Sequence, residues 1–299
     1  MSEFIGFAYY TEVPLVICDI QRVGPSTGML TRTQQCDIQL CAYASHGDTR
    51  HLVLFPANPG ECFEFSAKAL DLAERFQTPV FFLSDIDIGM NDWMVERFTW
   101  DDSYTPDRGK MMTADDLERI ETFYRYLDVD GDEIPYRTRP GVHPKGAYFT
   151  RGSGHDKYGR YTEDDEPFRE VVDRLRRKVL SAKDAVPQPI IQRREGARFG
   201  IVTIGGCAGA VDEACARWEK EGLAVDTMRI RAFPFPDSDE AFLREHDVNY
   251  VIEQNRDGQL HRLLLMETGI ERERIVSVVD YGGLPLSADA VQTKVGAQA

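Results

Sequence analysis

Arg22 lies in the segment Gln21-Arg22-Val23-Gly24-Pro25-Ser26-Thr27-Gly28, which follows an apolar run, Val13-Pro14-Leu15-Val16-Ile17-Cys18, of residue types that favour a strand. A buried strand emptying into a polar loop places that arginine where parallel sheets bind ligands, outside the carboxyl ends of their strands. Its guanidinium offers a rigid fork of donors matched to a carboxylate. Gly24 and Gly28 permit close backbone approach, and Ser26, Thr27 and Thr31 add hydroxyls. Two readings follow: a clamp for a small anion, with Arg22, Gly24, Ser26, Thr27 and Thr31 as its residues, or a Gly-Pro turn that presents a solvated arginine.

Other constellations are weaker. Asp128, Asp130 and Asp132 occupy the first, third and fifth positions of a calcium loop, but Glu133, Pro135 and Arg139 stand where such a loop needs Gly, a residue free of Pro constraints and a bidentate Glu. A solvated acidic turn is the expectation, with a structural cation in another geometry as the alternative. Gly205-Gly206-Cys207-Ala208-Gly209 ends one strand and opens a helix; without the G-x-G-x-x-G spacing or a P-loop lysine it reads as a tight turn rather than a phosphate cradle. His46, His143 and His155 fall in polar loops with no partner at metal-ligand spacing. Cysteines 18, 36, 41, 62, 207 and 215 form no Cys-x-x-Cys pair, so they read as reduced thiols and not as cluster ligands. No Gly-x-Ser-x-Gly elbow occurs. The chain carries a carboxylate-reading loop and no nucleophile of its own, so no catalytic side chain is assigned.

The 299 residues carry 50 acidic and 35 basic side chains, a net charge of −15. Sequence-independent binding to nucleic acid or to an anionic membrane surface is thereby disfavoured, and any anionic ligand needs a local basic site. No apolar run reaches the roughly 18 residues of a membrane span, and no signal peptide opens the chain, so a cytoplasmic location is expected.

The elements that position the loop alternate. A helix is expected over residues 2–10, strands over 13–20, 51–55 and 79–84, and a helix between the last two strands. Asn58 can cap that helix, Glu61 follows three residues later, and apolar residues recur at 62, 65, 69, 72, 73 and 76, a packing face that includes Cys62. Short turns then imply a parallel, right-handed crossover. The second half repeats the scheme, with strands over 199–204, 224–230, 250–253 and 274–279 and helices over 210–220, 239–246 and 259–267. Between the halves lies a polar, aromatic stretch with one amphipathic helix over 167–182, presenting Phe168, Val171, Val172, Leu175, Val179 and Leu180. The fold class is α/β with two parallel-sheet domains, divided at 1–95, 96–192 and 193–299 with the middle part a connecting excursion.

Residues 2–84, with Gln21-Arg22-Val23-Gly24-Pro25-Ser26-Thr27-Gly28, Thr31-Arg32-Thr33, Ser45-His46-Gly47-Asp48 and Gln77-Thr78-Pro79-Val80, resemble the alpha subunit of 2-oxoacid:ferredoxin oxidoreductases, the 2-oxoglutarate branch above all. Asp128-Val129-Asp130-Gly131-Asp132, Tyr148-Phe149-Thr150-Arg151-Gly152-Ser153-Gly154-His155 and Glu253-Gln254-Asn255-Arg256-Asp257-Gly258-Gln259 extend the resemblance over nearly the whole chain. It implies a thiamine-diphosphate pyrimidine-type first domain, incomplete at its amino end, and a transketolase carboxy-terminal-like second domain. It also implies oxidative decarboxylation of a 2-oxoacid to an acyl-coenzyme A, with electrons passed to ferredoxin. A beta subunit is expected to hold the diphosphate, Mg²⁺ and a 4Fe-4S cluster, with thiamine diphosphate shared between the subunits. Arg22 would pair with a substrate carboxylate and Thr31 would lie beside it. His155 and the 253–259 segment stay open between interface and catalytic roles.

This chain departs from the pattern in three places. Met29-Leu30 replace the family's Leu-Pro, and Cys36 replaces a glycine, so a looser loop and a strained left-handed backbone at Cys36 are expected. The family's earlier strands, with a Tyr-Pro-Ile-Thr-Pro-Ser type loop and the glutamate that activates the aminopyrimidine, have no counterpart before Met1. A shortened reading frame, a split gene and a shortened recombinant form are the explanations that stay open, and a catalytically silent assembly subunit is the alternative function.

Overall fold

The structure is a computed structural model and describes residues 1–298. Helix α1 (Ser2–Thr11) stops at Glu12, whose left-handed backbone (φ 57°) turns the chain into strand β1 (Leu15–Gln21). Helix α2 (Ile38–Ala42), strand β2 (Leu52–Leu54), helix α3 (Pro59–Phe76), strand β3 (Pro79–Asp85) and helix α4 (Ile86–Met90) follow. Helix α3 begins as its sequence dictates: the Glu61 amide donates to Asn58 Oδ1 at 3.0 Å, with Pro59 in the first turn. Its stripe of Phe65, Ala69, Leu72, Ala73 and Phe76 is buried, and Cys62 is half-buried beside it. Strands β1 and β2 both pair parallel with β3.

The connecting stretch contains two α-helices, α5 (Ala114–Arg119) and α6 (Asp165–Leu180). On α6, Val171, Leu175 and Val179 are buried against the α3 side of the first sheet, whereas Phe168 is 51% exposed and leaves the expected stripe. Charge fixes the same helix: Glu12 accepts from Arg174 Nη1 at 3.0 Å and from Lys178 Nζ at 2.7 Å, all three buried. A desolvated carboxylate with this many donors keeps its proton affinity well below the usual range.

The second sheet contains β4 (Ile190–Gln192), β5 (Gly200–Thr203), β6 (Asp226–Arg229), β8 (Asn249–Glu253) and β9 (Ile275–Val279); the two-residue strand β7 (Ala232–Phe233) intervenes in sequence. Helices α7 (Ala208–Lys220), α8 (Asp237–Glu245), α9 (Gln259–Glu267) and α10 (Ala288–Gly296) complete the chain. The order is β4-β6-β5-β8-β9, parallel except for the edge strand β4. Strand β7 does not join it. It pairs antiparallel with β2, Val53 opposite Phe233, and completes a first sheet of order β1-β3-β2-β7. The two sheets share one core, in which Ile38, Val53 and Phe81 pack in the same cluster as Val202, Met228 and Val251. Two outer cores lie under α3 with α6 and under α7 with α10.

Candidate functional site

Strand β1 ends at Gln21, and the next eight residues fold back on themselves. Val23 bridges Met29, and the Val23 amide donates to the Arg32 carbonyl at 2.9 Å. Gly28 makes the turn possible: its φ is +50° and a Cβ there would lie 2.1 Å from the Val23 carbonyl oxygen. The loop is tied to the second half of the chain by the Thr33 amide, which donates to the Gly283 carbonyl at 3.1 Å. Beneath it opens a cleft of about 590 Å³, walled on one side by Val23, Gly24 and Cys36 and on the other by Asn255, Arg256 and Tyr281.

The structure distributes the sequence-derived site residues unevenly. Gly24 lines the cleft. Arg22 is half-buried behind it and donates from Nη1 to the Thr27 carbonyl at 3.3 Å; it makes no ion pair among the described residues. Ser26, Thr27 and Thr31 are exposed, outside the cleft wall. Cys36 does not carry the left-handed backbone expected of a position that replaces glycine; positive φ falls at Ser26 instead. Burial and the neighbouring Asp37 carboxylate push the Cys36 thiol up to about 11, so it remains protonated and donates to the Arg22 carbonyl at 3.3 Å. The replacement therefore adds a hydrogen bond to the loop base and no strain.

Gln35 is the residue that composition and motif passed over. The carboxyl ends of β5 and β8 form the topological switch point of the second sheet, the usual ligand position of such a fold. Gln35 fills it. Its Nε2 donates to the Ile204 carbonyl at 3.0 Å, its Oε1 accepts from the Gln254 amide at 3.1 Å, and its own amide donates to the Gln254 carbonyl at 2.7 Å. Asn255 Nδ2 donates to the Gln35 carbonyl at 2.8 Å and to Glu253 Oε2 at 2.5 Å. The buried Glu253 carboxylate accepts from the Leu260 amide at 2.7 Å and the His261 amide at 3.0 Å, capping α9. Gln259 completes the latch by donating to the Cys36 carbonyl at 2.6 Å. Asn255, held by Glu253, and Gln259 thus join the second sheet to the loop after β1, and Arg256 and Asp257, paired at 2.7 Å, are the segment's charged groups at the cleft.

Comparisons with known proteins bear on the family and the fold. Residues 1–103 match the family profile "Pyruvate flavodoxin/ferredoxin oxidoreductase, thiamine diP-bdg". The chain is 31% identical over 292 residues to the alpha subunit of 2-oxoacid:ferredoxin oxidoreductase 2 of Aeropyrum pernix, covering 96% of this chain and 44% of that subunit. It is 31% identical over 243 residues to 2-oxoglutarate synthase subunit KorA of Methanocaldococcus jannaschii, covering 79% of this chain and 62% of the relative. The chain superimposes over its full length, with a TM-score of 0.83 and 28% identity, on 51% of a 2-oxoglutarate:ferredoxin oxidoreductase chain from Magnetococcus marinus, solved with 2-oxoglutarate, coenzyme A and succinyl-CoA bound. This chain is a relative of the 2-oxoacid:ferredoxin oxidoreductase alpha subunits. It spans about half the length of several of the relatives it matches.

The other candidates resolve into structural roles. Asp128 accepts from the amides of Gly131 and Glu133, at 2.9 and 2.8 Å, while Asp130 and Asp132 close on Lys110 Nζ at 2.7 and 2.6 Å. A lysine sits where a cation was weighed, and the acidic turn is not simply solvated. At residues 205–209 a tight turn leads into α7, and the Asp85 carboxylate occupies the space above it: a Cβ on Gly206 would lie 3.0 Å from Asp85 Oδ2. His46 lies exposed, 3.7 Å from Glu3, and His143 meets Glu118 at 2.8 Å. His155 is the correction. It is fully buried between Tyr10 and Tyr126, ring centroids 4.9 and 4.2 Å away, and burial lowers its pKa, so the neutral ring serves the core of the connecting stretch.

Proposed function

We propose that this chain is the alpha-type part of a thiamine-diphosphate-dependent 2-oxoacid:ferredoxin oxidoreductase, with 2-oxoglutarate as the preferred substrate. In that reaction a 2-oxoacid is oxidatively decarboxylated to an acyl-coenzyme A and electrons pass to ferredoxin. A beta subunit completes the enzyme in the cytoplasm. The observation that carries the reading is the cleft: the loop after β1 and the segment after β8, more than two hundred residues apart in sequence, form its two walls.

The residues present fit a share of a thiamine site. Gly24 and Val23 offer backbone and an apolar wall, and Arg22 stands behind them with a guanidinium that makes no ion pair among the described residues. Among the described residues no group of three or more His, Cys, Asp or Glu side chains converges to hold a metal ion, and Glu253 is committed to α9. On this reading the diphosphate, its Mg²⁺ and the 4Fe-4S cluster belong to the beta subunit. When bound, thiamine diphosphate supplies the carbanion and electron-sink chemistry. This chain's part is to orient. Arg22 would move its fork from the Thr27 carbonyl to the substrate carboxylate, and the Gln35 latch would keep the two cleft walls in register.

Coexpression with a beta subunit, followed by assay of viologen reduction with 2-oxoglutarate and coenzyme A, tests this reading. Substrate-dependent reduction by the complex, absent from either chain alone, is the expected result. A soluble, stoichiometric complex without turnover would instead establish the alternative, an assembly subunit that retains the binding surfaces.

A further inference from the structure

A second basic site lies at the opposite end of β1 from the cleft, about 20 Å away along a seven-residue strand. There a cavity of about 240 Å³ opens beside Glu12 and Pro14, with Arg125, Arg137 and Arg139 in its wall. The cavity arginines have donors to spare. Arg125 is 4% exposed; its Nη2 donates to the Glu12 carbonyl at 2.7 Å, but its Nε and Nη1 find no acceptor among the described residues. Arg137 commits Nη2 to Glu74 and to the Arg108 carbonyl, leaving a buried Nε without a partner. Arg139 is exposed at the mouth and makes no ion pair among the described residues.

The local charge is unbalanced in a chain that carries −15 overall. Of the two carboxylates in the wall, Glu12 is consumed by Arg174 and Lys178 behind it, and Glu74 by Arg137 and Arg108. These unpartnered nitrogens lie buried behind the cavity wall, so an anion in the cavity would meet the guanidiniums at the edges that line it and offset the rest of their charge through space. We infer that this cavity binds a phosphoryl group, a tetrahedral dianion that accepts from Arg125, Arg137 and Arg139 together. A dianion suits the site better than a carboxylate because two of the three guanidiniums make no ion pair among the described residues and the donors approach from different strands of loop.

Neither free phosphate nor an organic phosphate monoester is singled out by the cavity alone, so the test uses both. Calorimetric titration of the full-length chain with inorganic phosphate and with phenyl phosphate, at constant ionic strength, is expected to show saturable one-site binding of at least one of them. Arg139→Ala, a surface change that leaves the fold intact, should weaken that binding roughly tenfold. Arg125→Met, which keeps the packing volume, should abolish it, with circular dichroism confirming the fold. Arg169→Ala, a distant surface arginine paired with Asp165, should leave binding unchanged. Binding of phenyl phosphate alone identifies a monoester site, and binding of both a site for the phosphoryl group itself. No saturable binding of either probe, or binding indifferent to Arg139→Ala, overturns the inference.

Discussion

Two glycine-containing strand exits in this molecule look alike in sequence and end in opposite states. The loop after β1 leaves a cleft open beside Gly24 and an arginine that makes no ion pair among the described residues. The turn after β5 is closed by the protein itself: Asp85 sits over Gly206, and Gln35 takes the Ile204 carbonyl and the Gln254 amide. A strand exit becomes a binding site only where the polar groups around it are not already satisfied from within. Because Gln35 reaches across from the first sheet to plug the switch point of the second, the free space lies one loop away, under Gly24.

The largest expected effect breaks the closed side. Glu253→Ala would strip acceptors from the Leu260 amide and Asn255 Nδ2, both buried, and from the half-buried His261 amide. Unmade buried hydrogen bonds cost about 1–3 kcal/mol each, so a loss of about 3–5 kcal/mol is expected in urea unfolding. A loss below about 1 kcal/mol would mean that the Glu253 hydrogen bonds contribute little to the closed side.

Asp239 sharpens the comparison from the other direction, as an acid with no donors at all. Both its carboxylate oxygens are buried without a partner among the described residues, and burial pushes its pKa up to about 8. The unfolded chain releases this proton near 3.9, the folded chain only near 8, so the unfolded state binds fewer protons between those values and stability falls as pH rises through that window. Asp239→Asn removes the ionisation, and its stability relative to the parent chain should climb from pH 5 to pH 8 by about 3.5 kcal/mol. A pH-independent difference would count against a protonated Asp239.

On the open side, Arg22→Ala should fold normally and lower kcat/KM of the assembled enzyme for 2-oxoglutarate on the order of 10- to 100-fold, the loss of a charge-assisted hydrogen bond of roughly 1.5–3 kcal/mol. Arg22→Lys keeps the charge without the fork and should fall between. Thr31 is exposed outside the cleft wall, so Thr31→Ala should cost under about threefold unless assembly turns it inward. Comparing pyruvate with 2-oxoglutarate then locates Arg22: equal losses assign it to the carboxylate that both substrates share, and a selective loss for 2-oxoglutarate to the distal one.

Local signals made much of this architecture legible. The Asn58 cap and the apolar repeat define α3, the helix expected over 259–267 is α9, and the loop after the apolar run at 13–18 does leave a strand end. Strands β4 and β7 went unseen because three and two residues carry no periodicity; β7 exists only because Val53 and Leu54 are there to pair with it. Helix α10 had a local mark in Ser287, whose side chain accepts from the Ala290 amide at 3.2 Å. Gln35 had none, since its role is made entirely by residues about 170 to 220 positions further on. His155 read as a polar-loop residue because its neighbours in sequence are polar, while the rings that bury it come from Tyr10 and Tyr126.

The smallest effects separate the two exits most cleanly. A methyl group on Gly24 would meet no heavy atom within 4 Å, so Gly24→Ala costs the fold nothing and gains the few tenths of a kcal/mol that a less flexible unfolded chain provides. The same methyl stands in the wall of the cleft. In the assembled enzyme it should therefore reduce kcat/KM by a few-fold through crowding of the ligand, with the unfolding midpoint unchanged or slightly raised. Gly206→Ala should do the reverse. Its methyl would press against Asp85 Oδ2 at 3.0 Å, lowering stability by about 1 kcal/mol through a tight contact in a filled turn, while turnover per folded molecule stays at the parent value. Paired measurements of urea midpoint and kcat/KM on the two variants would then cross, one losing function without stability and the other stability without function. If Gly24→Ala left kcat/KM untouched, the open loop would be no more a binding surface than the closed turn, and the distinction drawn between them would fail.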